Sequence, residues 1–311
     1  MTVINKFGGG PVNGVEPIKR LPLIFKEIIK EDSINVFSAF GKTTNNLEAL
    51  VQASLRDDNF EARKQMSQLE EFHKNIINGL SFPENHPIFS KVEKIFQNIK
   101  ITLYYSSRHK YLGFMSDQIL PYGEMLASVI VNEYLTISGV ENQLINATDF
   151  IMTDDQFGNA EINRKDTTLL MQEKFTCEVL KKSKNIITQG FIGTFFTSSD
   201  DELLCLKMVT TLGREGSDYT AGLIGNIMNA SKVVLWKDVP GLMTQDPKNE
   251  KGKNFAKLIP DISFNGLESL LRKDRAKGLV HPKTLNEVRS KKIPLQIRPF
   301  WDLESEGTLI H

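Results

Sequence analysis

Twice before Leu55 the chain runs strand, loop, helix, and that order leaves few folds open. Val3 to Phe7 is a short β-leaning run ending in Gly8-Gly9-Gly10-Pro11. A helical pattern follows Pro17, with Ile18, Leu21, Ile24, Phe25, Ile28 and Ile29 on one side. Pro22 falls early in it and is expected to start or kink that helix. A second strand, Ile34 to Ala39, leads into Gly41-Lys42-Thr43-Thr44 and a helix containing Leu47, Leu50 and Leu55. Successive parallel strands need a crossover, so the order predicts a parallel sheet covered by helices.

The rest of the chain extends the pattern. Asp57 to Ser107 reads as a polar helical excursion, broken at Pro83 to Pro87, and Gly123-Glu124 opens another helix with Met125, Leu126, Val129 and Ile130. Strand-like patches follow at Leu144 to Ala147 and Phe150 to Thr153. Ile186 to Gln189 is a strand ending in Gly190-Phe191-Ile192-Gly193, and Ser198 to Glu202 an exposed acidic turn. Val233 to Trp236 is a buried strand running into Lys237-Asp238-Val239-Pro240-Gly241. The chain of 311 residues has room for one large α/β domain or two medium lobes.

Composition excludes some classes of function. Lys plus Arg number 38 and Asp plus Glu also 38, so no basic footprint points to nucleic acid or an anionic membrane. Cys177 and Cys205 lack CxxC spacing, which argues against a zinc site or disulfide framework and fits a reducing cytoplasm. No apolar run approaches membrane-spanning length, and the N-terminus reads as a strand rather than a signal peptide. His73, His86, His109, His281 and His311 are scattered, without metal-ligand spacing; His281, before Pro282, reads as structural.

The chemistry gathers in the loops after the strands. Thr210-Thr211-Leu212-Gly213-Arg214-Glu215-Gly216-Ser217-Asp218-Tyr219-Thr220-Ala221 is a glycine-bearing turn opening into a helix, with Ser217 placed to cap it. Unpaired N–H groups at a helix start attract anions, and Arg214 offers a fork for a carboxylate or phosphate. The bland reading is a capped helix with a surface arginine. Lys6, the glycines, Gly41-Lys42-Thr43-Thr44, Glu124, Arg214, Ser217, Asp218 and Asp238 together suit phosphoryl transfer. Two nucleotide signatures fail: Val36 holds the first glycine slot of a P-loop, and Asn13 the third glycine of a dinucleotide fingerprint. Trp236 reads as core packing rather than an adenine platform.

In series, Lys6-Phe7-Gly8-Gly9, the run Thr211 to Ala221, Trp236-Lys237-Asp238-Val239-Pro240-Gly241-Leu242-Met243-Thr244-Gln245-Asp246-Pro247 and His281-Pro282 resemble the aspartokinases, within the wider amino-acid-kinase family. Supporting matches are Ser38 to Thr44, Gly123-Glu124 with Ser128, Gly190 to Gly193 and Ile293-Pro294-Leu295, so the resemblance runs from residue 3 to about 310. It implies a three-layer α/β/α sandwich with a mainly parallel sheet. Residues 1–205 would form an aspartate-binding lobe and 206–311 an ATP-binding lobe. The implied reaction is ATP plus L-aspartate to ADP plus 4-phospho-L-aspartate, with Mg2+ on the nucleotide, the step committing carbon toward lysine, threonine and methionine.

By the same resemblance Lys6, Asp218 and Lys277 are catalytic: Lys6 offsets charge on the transferring group and Asp218 organises the lysines. Arg214 clamps the substrate α-carboxylate, Glu124 takes its α-ammonium, and Ser38, Thr44 and Ser217 line the aspartate pocket. Lys6, Gly8, Gly9, Lys237, Asp238, Met243, Lys248 and Lys277 contact ATP. No residue is expected to bind metal directly.

Four departures qualify the match. Gly10 and Pro11 stand where the family has threonine and serine. Glu215 replaces a glycine beside Arg214; a side chain disfavours positive φ there, and its charge is expected to face outward or pair with a neighbour. Around Ala276-Lys277-Gly278-Leu279-Val280-His281-Pro282 the spacing shifts, and Lys277 is favoured over Lys283 as the ATP-contacting lysine. The chain stops at His311, where relatives hand over to ACT domains, so feedback inhibition of that type is not expected, and a homodimer through the kinase domain stays open. The rivals are a sister amino-acid kinase, a non-catalytic aspartate or ATP sensor on this fold, and a nicotinamide oxidoreductase.

Overall fold

The computed structural model describes residues 2–109, 111–175, 183–197, 206–245, 256–271 and 279–311. The first strand, β1 (Val3–Phe7), coincides with the β-leaning run that predicts it. It leads to α1 (Val15–Leu23), where Pro22 lies inside the helix and lacks an N–H to donate; the helix then widens to a π turn over Ile24–Ile28. β2 (Ser33–Phe37) and α2 (Thr43–Leu55) complete the second strand-loop-helix unit. The helical excursion is α3 (Asn59–Gly79) and α4 (Ile88–Ser106), followed by α5 (Leu112–Ile119) and α6 (Pro121–Ile137). Asp58 caps α3 by accepting the Glu61 N–H, and Met66, Leu69, His73, Ile76 and Ile77 form its buried stripe.

β3 (Asn142–Leu144), α7 (Arg164–Lys174) and β4 (Asn185–Gln189) follow. Phe150 to Thr153 does not become a strand; Met152 and Thr153 form only isolated bridges, to Thr194 and Ile162. β5 (Ile192–Thr197) and β6 (Leu206–Thr211) make a separate antiparallel ribbon that the sequence pattern did not announce. The acidic stretch Ser198 to Glu202 lies outside the described residues. Then come α8 (Gly216–Ile227), β7 (Lys232–Lys237), β8 (Asp261–Ile262), α9 (Phe264–Leu271), α10 (Pro282–Ser290), β9 (Leu295–Pro299) and β10 (Thr308–Ile310). His281 is structural, as expected: it caps α10 by accepting the Lys283 N–H, with Pro282 at the first turn.

The main sheet has eight strands in the order β3-β4-β2-β1-β7-β9-β10-β8, parallel except where β10 runs against β9. Every residue of β2, β4 and β9 is buried, as a sheet covered on both faces requires. One face packs on Ile18, Leu47, Leu50, Leu126 and Ile130, the other on Met171, Leu223, Ile224, Leu267 and Leu285. This is the expected three-layer α/β/α sandwich. From β1 the chain moves one way along the sheet to β2, whereas from β7 it moves the other way to β9. Right-handed crossovers in opposite directions place their helices on opposite faces and leave a crevice at the strand ends between them. Among the described residues no helix is long and apolar enough to cross a membrane.

Candidate active site

Strand alternation decides which side chains reach that crevice. On β1, Ile4 and Lys6 share one face and Phe7 takes the other; on β7, Leu235 and Lys237 share a face while Trp236 stacks on Phe7, ring centroids 5.6 Å apart. Trp236 is therefore core, and its Nε1–H donates to Asn5 Oδ1 at 3.1 Å. Lys6 lies opposite Leu235, so Lys237 sits one pleat further along on the same side. α8 covers that side and carries Asp218 in its first turn.

The three side chains meet. Lys6 Nζ is 2.7 Å from Asp218 Oδ1, and Lys237 Nζ is 2.7 Å from Asp218 Oδ2. Burial works to raise the Asp218 carboxyl, but Lys6 and Lys237 outweigh it and hold it at about 2. Burial lowers Lys6, Asp218 opposes that, and Lys237 adds to it. The cluster thus brings two lysines and one carboxylate to the crevice.

Lys6, Lys237 and Asp218 line a cavity of about 770 Å³ together with Gly9, Ser38, Thr44, Glu124, Arg214, Glu215 and Ser217. Glu124, in the first turn of α6, is almost fully buried; Oε1 accepts the Ala39 N–H at 3.3 Å and Oε2 has no hydrogen-bond partner among the described residues. Burial pushes its carboxyl up to about 8, against the Ala39 hydrogen bond and the more distant Lys6. Gly9 has to be glycine: a Cβ there would lie 2.2 Å from Ala39 O, because the Gly41 N–H donates to Gly9 O at 2.9 Å and locks the two loops edge to edge. A second cavity, about 510 Å³ against α2, α3 and α4, contains none of the expected site residues.

Of the remaining expected residues, Gly8 is buried in the loop beside Lys6 Nζ, and Asp238 lies beside Gly10. Met243 is half-buried and bridges Leu258, away from the cavity lining. Lys248 and Lys277 lie outside the described residues. Lys283, the lysine passed over in favour of Lys277, sits over the Tyr219 ring and 3.6 Å from Glu161.

Two expectations for the loop before α8 need correction. Ser217 does not cap the helix: Glu215 is the N-cap, with φ 57°, and Ser217 is the second helical residue, turned into the cavity wall. Glu215 adopts the left-handed conformation that its side chain disfavours, at a cost of about 1 kcal/mol. It is exposed and, among the described residues, makes no ion pair; it lines the cavity beside Arg214 instead of turning away.

Sequence reasoning missed Leu112, Gly113, Ser116, Leu120 and Gly158, all in the cavity lining. The signal for Gly158 was present in the turn-forming Asp154-Asp155-Gln156-Phe157-Gly158-Asn159, whereas nothing in the short α5 marked its approach to the crevice. Among the described residues no three His, Cys, Asp or Glu side chains gather as a metal centre would need.

The sequence model of the amino acid kinase family matches residues 1–299. Lysine-sensitive aspartokinase 3 of Escherichia coli (strain K12) is 28% identical over 313 residues, covering 99% of this chain and 64% of that protein. Aspartokinase 1, chloroplastic, of Arabidopsis thaliana is 27% identical over 318 residues, covering 100% of this chain and 52% of that one. The crystal structure of E. coli aspartokinase III with aspartate and ADP (R-state) superposes with a TM-score of 0.84 at 27% identity, covering 100% of this chain and 64% of that chain. The chain thus spans between about half and two thirds of the length of these relatives.

Proposed function

The chain belongs to the amino acid kinase family, and on that premise we propose that it transfers the terminal phosphoryl group of ATP to the side-chain carboxylate of L-aspartate, giving ADP and 4-phospho-L-aspartate. The observation that carries this reading is one cavity lined by two complementary sets of side chains. Lys6 and Lys237 on Asp218 form a set suited to phosphate, and Glu124 with Arg214 forms a set suited to an amino acid's two backbone charges. The E. coli relative, crystallised with aspartate and ADP, supports the same pair of ligands.

The chemistry asks for positioning rather than proton transfer. The attacking side-chain carboxylate has a free pKa of about 3.9 and is ionised at neutral pH without a general base. Arg214 grips the α-carboxylate with two parallel bonds, and Glu124 Oε2 accepts from the α-ammonium. Ser38, Thr44 and Ser217 shape the space between them. Lys6 offsets charge as the phosphoryl group moves, and Asp218 holds Lys6 and Lys237 in place. In this reading the amides of Gly8 and Gly9 serve the phosphates, with Lys237 and Asp238 on the nucleotide side; for Met243, Lys248 and Lys277 a nucleotide role rests on the sequence resemblance alone, Lys248 and Lys277 lying outside the described residues. Mg2+ enters as part of the substrate MgATP, where the ion neutralises phosphate charge.

The aspartate half draws on residues 1–205 and the nucleotide half on 206–311, although Arg214 and Ser217 cross from the second to the first and Lys6, Gly8 and Gly9 from the first to the second. A cytoplasmic setting and a homodimer belong to the proposal as well; light scattering tests the latter. The activity is tested by trapping product with hydroxylamine in the presence of ATP, Mg2+ and aspartate. Aspartyl hydroxamate is the expected product. Binding of both ligands with no hydroxamate would move the chain to the sensor reading.

A further inference from the structure

The helical excursion contributes α5 to the cavity wall, and α5 carries a carboxylate to which the chemistry above assigns no part. Asp117 is fully buried, and among the described residues no cation pairs with it. Its Oδ2 accepts the backbone N–H groups of Gly158 and Thr211, each at 3.0 Å, and its Oδ1 accepts the Thr211 hydroxyl at 2.5 Å. Burial pushes this carboxyl up to about 6, against those three bonds. A buried carboxylate without a counter-ion is costly, so the bonds it makes must hold something in place.

What they hold is the stem of the Arg214 loop. Thr211 ends β6, three residues ahead of Arg214, and the Ala160 N–H donates to Thr211 O at 2.9 Å. Between them, Gly213 turns with φ 76° against the Gly158-Asn159 turn, so closely that a Cβ there would lie 2.7 Å from Asn159 Oδ1. From the next position on α5, Gln118 Nε2 donates to Val209 O at 3.0 Å. One carboxylate thus ties two separate chain segments to α5, and both segments line the cavity that Arg214 also lines. Arg214 itself is exposed, with no ion pair among the described residues, so the aim of its guanidinium depends on its backbone.

We propose that Asp117 is a positioning residue for the amino-acid clamp: it fixes the stem of the Arg214 loop and the Gly158 turn to α5, and so sets where the guanidinium meets the substrate's α-carboxylate. The kinetic consequence rests on the aspartate-kinase reading, whereas the backbone ordering does not. A purely structural carboxylate would change stability and the active fraction while leaving the balance between the two substrates alone.

The test uses the full chain with Asp117→Asn, Asp117→Ala and Thr211→Val. The asparagine keeps an acceptor for both N–H groups and a donor toward Thr211, so KM for aspartate is expected to stay within about threefold of the parent. The alanine removes all three bonds and is expected to raise KM for aspartate by ~10-fold or more, with KM for ATP within about twofold. Thr211→Val removes one bond, raises KM for aspartate by about threefold, and decides the matter if the alanine variant does not fold. Amide exchange at Gly158 and Thr211 should quicken in Asp117→Ala while α2 stays protected. Unchanged exchange at those two amides, or a fall in kcat with both KM values unmoved, overturns the proposal. If the parent chain makes no hydroxamate, the aspartate-kinase reading fails, and exchange at the two amides alone decides whether Asp117 positions the loop.

Discussion

Asp218 and Glu124 occupy matching places in the molecule, each in the first turn of a helix, each buried, each facing the same cavity. Yet one carboxyl is held at about 2 and the other pushed to about 8. Burial acts on both in the same direction. Two lysines 2.7 Å away reverse it for Asp218, while Glu124 receives the Ala39 N–H on one oxygen and, among the described residues, no hydrogen bond on the other. The α8 side of the cavity therefore holds its charges already paired. The α6 side holds a carboxyl oxygen with no hydrogen-bond partner among the described residues.

Removing the charge from the paired side gives the largest effect expected. Lys6→Ala should lower kcat for hydroxamate formation by on the order of 10²–10³-fold with KM for aspartate little changed, read by steady-state kinetics. On the unpaired side, Glu124→Gln should act on binding, raising KM for aspartate by about 10-fold or more. Its stability should also lose a pH dependence. The folded pKa of Glu124 lies above its unfolded value, so the folded state binds more protons between about 4.5 and 8, and stability falls as pH rises through that window. Denaturant melts of the parent should show this fall, worth several kcal/mol, and the Glu124→Gln melts should keep only the smaller part, below about pH 6, that the raised Asp117 carboxyl contributes.

Asp218 has the opposite sign. Its folded pKa lies below the unfolded value, so its contribution is present above about pH 4 and is lost as pH falls toward 2. Asp218→Asn should cost on the order of 2 kcal/mol at pH 7 and much less near pH 2, with melts at the two pH values as the check. The smallest effect belongs to the loop between the two sides. Glu215→Gly should relieve the positive φ and stabilise the fold by about 0.5–1 kcal/mol. It should also lower KM for aspartate by about twofold by removing a like charge at the cavity wall. An unchanged KM would show that Glu215 does not act on the substrate.

The parts of this arrangement that could be read in advance are those written locally. Val3–Phe7 is a β-leaning run followed by glycines, His281 precedes a proline, and Arg214 and Asp218 stand four residues apart where a loop opens into a helix. The ribbon of β5 and β6 was not readable, because Leu206-Lys207-Met208-Val209-Thr210-Thr211 has no clear alternation of apolar and polar residues. Two- and three-residue strands such as β8 and β10 carry no period at all. Ser217 misled because a serine before an apolar stripe is an ordinary cap, whereas Glu215 starts this helix earlier.

From the residues alone followed the class of fold, the strands that build it and the loops that carry its chemistry, since periodicity and glycine placement act over a few residues at a time. Packing alone joined Lys6, Asp218 and Lys237, which lie more than two hundred residues apart at the extremes, and tied Asp117 to both Gly158 and Thr211. Packing also gave two first-turn carboxylates opposite proton affinities. The reason is physical: a carboxyl's charge state depends on burial and on which cation stands within a few ångströms, and neither is defined until the sheet is closed between its helices.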